Sequence, residues 1–109
     1  MSERVRYMRL LVFFDLPVGT SLQRKNYARF RKYLEKSGYL MMQESVYSKL
    51  AINGRVADGL LAKLYENCPP EGLVQVLKIT ERQFATIACI TGHATPHTEM
   101  DDTEALVVL

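Results

Sequence analysis

The chain has 109 residues, 48% of them apolar, with 14 Lys and Arg against 12 Asp and Glu. That length holds one domain and excludes two independent cores, and the apolar share excludes wholesale disorder. No apolar run nears the roughly 20 residues of a membrane span, and Met1-Ser2-Glu3-Arg4 carries no signal-peptide hydrophobic region, so a cytoplasmic protein without a membrane partner is expected.

Arg6 to Asp15 reads as a strand. Leu10-Leu11-Val12-Phe13-Phe14 is apolar on both alternating faces, the pattern of a central strand covered on both sides. Pro17 ends it, because the residue before a proline avoids the helical region. Thr20 to Ser37 reads as a helix: Thr20 with Gln23 fits a capping box, and Gly38 supplies a left-handed stop. Leu22, Tyr27, Phe30 and Leu34 mark its apolar side. Lys25, Arg29, Lys32 and Lys36 form a stripe opposite, with Arg24 and Arg31 as a second basic ridge beside it.

Tyr39 to Leu50 is strand-like and bent or split. Asn53 caps a second helix with Ala57, Leu60, Leu61, Leu64 and Cys68 on its apolar side, and Pro69-Pro70 stops it. Leu73 to Thr80 is another strand and Thr86 to Thr91 a shorter one. Residues 1–92 thus form one domain, residues 93–104 a polar linker, and residues 105–109 a terminal strand or docking tail. The order fits an α+β sandwich of the ferredoxin-like, βαββαβ type: an antiparallel sheet with both helices on one face, plus a C-terminal strand. The bare second face of the first strand then calls for a cover, and a second copy of the chain supplies one through a two-fold interface.

Charge is unevenly placed. Residues 1–50 hold ten basic and four acidic groups, and residues 51–109 hold four basic and eight acidic ones. Such polarity suits either a face that attracts a polyanion or a solvated helix. The basic stripe is a phosphate-binding candidate that neutralises a backbone without reading bases. Tyr27 and Phe30 belong to the apolar side, which favours duplex backbone over stacking on single strands.

Asp15 is the first charge after five apolar residues, at the rim of the core. Near a two-fold axis, two such carboxylates repel unless protonated or bridged by a hard cation such as Mg2+, and a bridged pair sets activated water against a phosphodiester. The simpler role, which the residues alone favour, is capping the turn before the first helix. His93 and His97, followed by Asp101 and Asp102, have a spacing that suits a metal only on a helix, and Gly92, Thr95 and Pro96 argue for a linker. Cys68 and Cys89, with no CxxC spacing, read as small buried apolar residues.

Met8-Arg9-Leu10-Leu11-Val12-Phe13-Phe14-Asp15-Leu16-Pro17 resembles the first-strand motif of the small CRISPR-associated adaptation proteins, the family numbered two, also called the CRISPR-associated endoribonucleases. Arg24-Lys25, Tyr27, Phe30-Arg31-Lys32, Leu34, Gly38-Tyr39, Gln43-Glu44-Ser45-Val46-Tyr47, Ile79-Thr80-Glu81-Arg82-Gln83-Phe84 and Gly92 continue the likeness in order. The FFDLP form with Arg24-Lys25 looks most like members of type II systems. The resemblance implies a prokaryotic protein with a ferredoxin-like fold and a homodimer joined through its sheets. It implies a place between two integrase dimers during spacer acquisition, holding duplex DNA by its phosphates. It also implies a Mg2+-dependent endonuclease on DNA or single-stranded RNA, with Asp15 as catalytic and metal-binding residue and one ion shared by the two Asp15. Ser45 matches a motif serine that would support the site, and Arg24 and Arg31 match basic helix positions. By the same resemblance Leu106, Val107, Val108 and Leu109 dock the integrase by strand addition. A scaffold without catalysis fits the likeness as well as a nuclease does. A ferredoxin-like RNA-binding module without catalysis is the alternative, and it expects aromatics on the open sheet face.

Overall fold

The computed structural model describes residues 6–92. The expected linker 93–104, the tail 105–109, His93 and His97 lie outside the described residues.

The elements run β1 (Met8–Asp15), α1 (Ser21–Lys36), β2 (Leu40–Gln43), β3 (Val46–Ala51), α2 (Gly54–Asn67), β4 (Leu73–Thr80) and α3 (Glu81–Phe84). The four strands form one sheet in the order β2-β3-β1-β4, with every neighbouring pair antiparallel. This is the ferredoxin-like α+β sandwich, with β1 central. Leu10 stands opposite Lys49 and Lys78, and Leu11 opposite Ser48 and Leu77.

Local signals set the element ends. Thr20 accepts a hydrogen bond from the Gln23 amide while the Gln23 side chain accepts one from the Thr20 amide, so the expected capping box closes. Asn53 accepts from Val56 N–H at the start of α2. Gly38 takes φ +90°, where a side chain would be strained, and the chain turns from α1 into β2 there. The segment 39–50 is split as expected, with a register irregularity between Met41 and Gln43.

One face of the sheet carries the core. Leu10, Val12 and Phe14 of β1 pack with Phe30 and Leu34 of α1, Tyr47 and Ala51 of β3, and Ala57 and Leu64 of α2. Each fully buried Leu or Phe contributes about 1.5–3 kcal/mol relative to exposure. Phe14 meets Phe30 edge-on at 5.3 Å between ring centres and stacks on Tyr47 at 5.8 Å.

Five details differ from the sequence expectation. β1 starts at Met8 rather than Arg6. Residues 86–91 form no strand; the short helix α3 comes just before, started by a second capping box of Thr80 and Gln83 that the strand pattern conceals. Cys68 lies beyond α2, donates from Sγ to the Tyr65 carbonyl and is exposed, and Cys89 is exposed as well. Leu22 is 66% exposed and takes no part in the core, which α1 reaches through Phe30 and Leu34. The second face of β1 is partly covered by the chain itself: Arg9 is 7% exposed, its guanidinium lies 4.3 Å from the Phe84 ring centre, and it binds the Glu81 carboxylate at 2.8 and 2.5 Å.

Candidate nuclease and nucleic-acid site

Asp15 is the last residue of β1, and the strand holds its backbone firmly. The preceding Phe14 is wedged among Tyr27, Phe30 and Tyr47, and its amide donates to the Ser45 carbonyl at 3.1 Å. Asp15 itself pairs in register with Leu73. Its side chain is exposed and accepts no hydrogen bond from the described residues. The turn-capping role is therefore not the one it plays, since Thr20 caps α1.

The structure brings Ser45 to the same end of the sheet, through that carbonyl contact with β1. It also reveals a neighbour that the sequence pattern does not single out. Gly72 takes φ +96°, and a Cβ there would sit 2.9 Å from the Asp15 carbonyl oxygen and 2.7 Å from Leu16 Cδ2. Only glycine lets β4 approach the end of β1 this closely. The signal lies in Pro69-Pro70-Glu71-Gly72, a turn-forming run whose first two residues also end α2.

Asp15 lies on the side of β1 opposite the core, with Arg9, Leu11 and Phe13. Beside them on that side stand Leu50 of β3 and Leu73 and Leu77 of β4, which are 44%, 55% and 49% exposed. The rim carboxylate thus borders an open apolar sheet face. The strand aromatic exposed there is Phe13, at 36%.

The fit to a divalent cation can be judged from these donors. Ca2+ or Mg2+ takes six or more oxygens, and one exposed carboxylate supplies two at most. No group of three or more His, Cys, Asp or Glu capable of holding a metal occurs among the described residues. One chain alone does not fit the ion. Two copies meeting across the open face would bring two carboxylates, and water would complete the shell.

On α1, Lys25, Arg29, Lys32 and Lys36 are all exposed and form no side-chain hydrogen bond or ion pair among the described residues. Arg24 and Arg31 are exposed too but differently engaged. Arg24 donates to the Val18 carbonyl at 3.0 Å, and Arg31 donates to Glu35 at 3.3 Å. The stripe and the ridge are therefore electrostatically distinct. Within the described residues, no helix is long and apolar enough to cross a membrane.

The fold and site define the class: a ferredoxin-like sandwich with an exposed rim aspartate at the end of β1 and a basic first helix. The family described as CRISPR associated protein Cas2 matches residues 8–87. The chain is 52% identical over 103 residues to a CRISPR-associated endoribonuclease Cas2 of Treponema denticola, covering 94% of this chain and 100% of that protein. It is 42% identical to the protein of the same name from Streptococcus mutans serotype c, covering 78% of each chain. For the Acidovorax ebreus protein, also so named, the identity is 44% over 78% of this chain and 83% of the relative. The chain belongs to the CRISPR-associated Cas2 family.

Proposed function

We propose that the protein acts in CRISPR spacer acquisition as a homodimer that bridges integrase dimers and holds duplex DNA by its backbone, with a metal-dependent phosphodiesterase activity centred on Asp15. The name endoribonuclease carried by the relatives supports the nuclease part of this reading. The observation that carries it is the exposed Asp15, unbonded among the described residues, at the rim of an open apolar sheet face.

In this reading the open faces of two copies close on each other, and the two Asp15 carboxylates would hold one Mg2+. The chemistry supplied by such an ion is acidification of a bound water and neutralisation of phosphoryl charge. The residues of the chain do the positioning. Phe14 and Gly72 fix the strand end that presents the carboxylate, and Ser45 closes the neighbouring turn on it. Lys25, Arg29, Lys32 and Lys36, with Arg24 and Arg31, hold phosphates along α1. The open face bears one strand aromatic, Phe13, among the described residues, too few for the stacking platform of an RNA-binding module. The tail Leu106-Val107-Val108-Leu109 serves to dock the integrase.

The test is cleavage of RNA and of duplex DNA across a Mg2+ titration by the purified dimer and by Asp15→Asn. The variant is expected to lose metal-dependent cleavage at least a hundredfold while keeping dimer mass and melting temperature. Cleavage at the parent rate would remove Asp15 from the site. A wild-type dimer that binds DNA but cleaves neither substrate would leave the scaffold role alone.

A further inference from the structure

Glu35 is the one acidic side chain on α1, against six basic ones. It falls four residues after Arg31 and eleven after Arg24, at the end of the second basic ridge. One of its oxygens, Oε2, accepts from two sides. Arg31 Nε donates to it at 3.3 Å along the helix, and the Tyr47 hydroxyl donates to it at 3.2 Å from the sheet.

The two donors differ in kind. Tyr47 is fully buried, stacked on Phe14 and locked in β3. Burial pushes its phenol up, so the proton it gives Glu35 stays in place. Arg31 is a surface cation, with its side chain 45% exposed and that of Glu35 52% exposed. An isolated i,i+4 pair at that exposure contributes little to stability, because water competes for both partners. This pair has a third member that a chance surface contact lacks. A rigid core hydroxyl holds the carboxylate beside the guanidinium.

We propose that Glu35 is a resident counter-anion: fixed by Tyr47, it occupies Arg31 as a phosphate would and lowers the affinity of the α1 surface for a polyanion. The proposal rests on the reading of α1 as a duplex-backbone surface and adds how its strength is set. A phosphate must displace Glu35 to take Arg31, whereas Lys25, Arg29, Lys32 and Lys36 have no such competitor among the described residues. Binding is thereby held below the tightest available to the six basic side chains of α1. Tyr47 is the positioning residue, since it orients Glu35 without meeting the phosphate.

The experiment measures the dissociation constant and salt slope for a random-sequence duplex with the full chain, Glu35→Gln, Tyr47→Phe, Arg31→Gln and the double variant Arg31→Gln/Glu35→Gln. Removing a unit charge close to a phosphate site is worth roughly fivefold in affinity near 0.1 M salt. Glu35→Gln is expected to bind about that much more tightly, with a salt slope steeper by about 0.9, as Arg31 neutralises one more phosphate. Tyr47→Phe moves the same way by less. In the Arg31→Gln background the gain from Glu35→Gln should largely vanish, because the effect passes through Arg31. A gain that survives there undiminished reports net charge alone and overturns the proposal. Unchanged or weaker binding by Glu35→Gln overturns it too, and leaves the DNA-binding reading intact. A wild-type chain without salt-dependent duplex binding overturns that reading and this inference with it.

Discussion

At the residue scale, what decides a role is whether a polar group is already satisfied. Arg9 is the clearest satisfied case: buried, stacked on Phe84 and paired with Glu81, it joins β1 to α3 and is not free for a phosphate. Asp15 is the opposite case, held firmly by its backbone with its side chain left open. Tyr39 is a third kind. It is buried, its hydroxyl has no partner among the described residues, and burial together with the charge of Tyr33 pushes its phenol up to about 12 from 10.0. The raised value means the folded state favours the protonated phenol. That contribution is fully present below pH 10 and is lost as the pH rises through about 12. Tyr39→Phe should therefore be neutral to stabilising by about 1 kcal/mol at pH 7, since it removes an unpaired buried hydroxyl. It should also flatten the fall in stability between pH 10 and 12. Urea unfolding at pH 7 and in that alkaline range checks both. A loss of more than about 1 kcal/mol at pH 7 would show that the hydroxyl is bonded.

At the element scale, α1 does two jobs on opposite sides. Phe30 and Leu34 fix it to the sheet, and the stripe from Lys25 to Lys36 faces solvent. Because Lys25, Arg29, Lys32 and Lys36 pack against nothing in the core, replacing all four by Gln should change stability little. It should weaken duplex binding by similar factors for unrelated sequences. The salt slope should fall by about 0.9 for each phosphate that is no longer neutralised. Fluorescence anisotropy at several salt concentrations measures this. An unchanged slope would move the DNA surface off the stripe. α3 shows the other use of an element: only four residues long, it covers part of the face that a two-helix sandwich would leave bare.

At the scale of the whole molecule, the open face is the feature that the proposed dimer would cover. Leu50, Leu73 and Leu77 remain about half exposed beside Phe13 and Asp15. Leu77→Glu places a charge in the middle of that face. A lone chain should tolerate it within about 0.5 kcal/mol, as at other half-exposed sites. A sheet-to-sheet dimer should not. Sedimentation is expected to show monomers, with metal-dependent cleavage lost alongside dimer mass. A dimer that persists would put the interface elsewhere and separate the two Asp15. Deleting residues 103–109 tests the tail by co-purification with the integrase. Retention of the integrase would remove the docking role from Leu106–Leu109.

Much of this protein is legible from its sequence, and the legible parts share a cause. Elements driven by short-range physics read correctly: the apolar run of β1, the capping box at Thr20, the Asn53 cap and the stop at Pro69-Pro70 each act within a few residues. The ordered motifs from Met8 to Phe84 carry the family as well, because they are a linear pattern. What tertiary structure decided depends on residues far apart in the chain. The Arg9–Glu81 pair spans 72 positions, and this contact fixes α3 on the second face of β1. Gly72 matters because β4 returns against the end of β1, and Glu35 because β3 brings Tyr47 beneath it. The two cysteines escape a sequence reading for the same reason. Burial of a small apolar residue is set by what the rest of the chain lays over it, and among the described residues nothing is laid over Cys68 or Cys89.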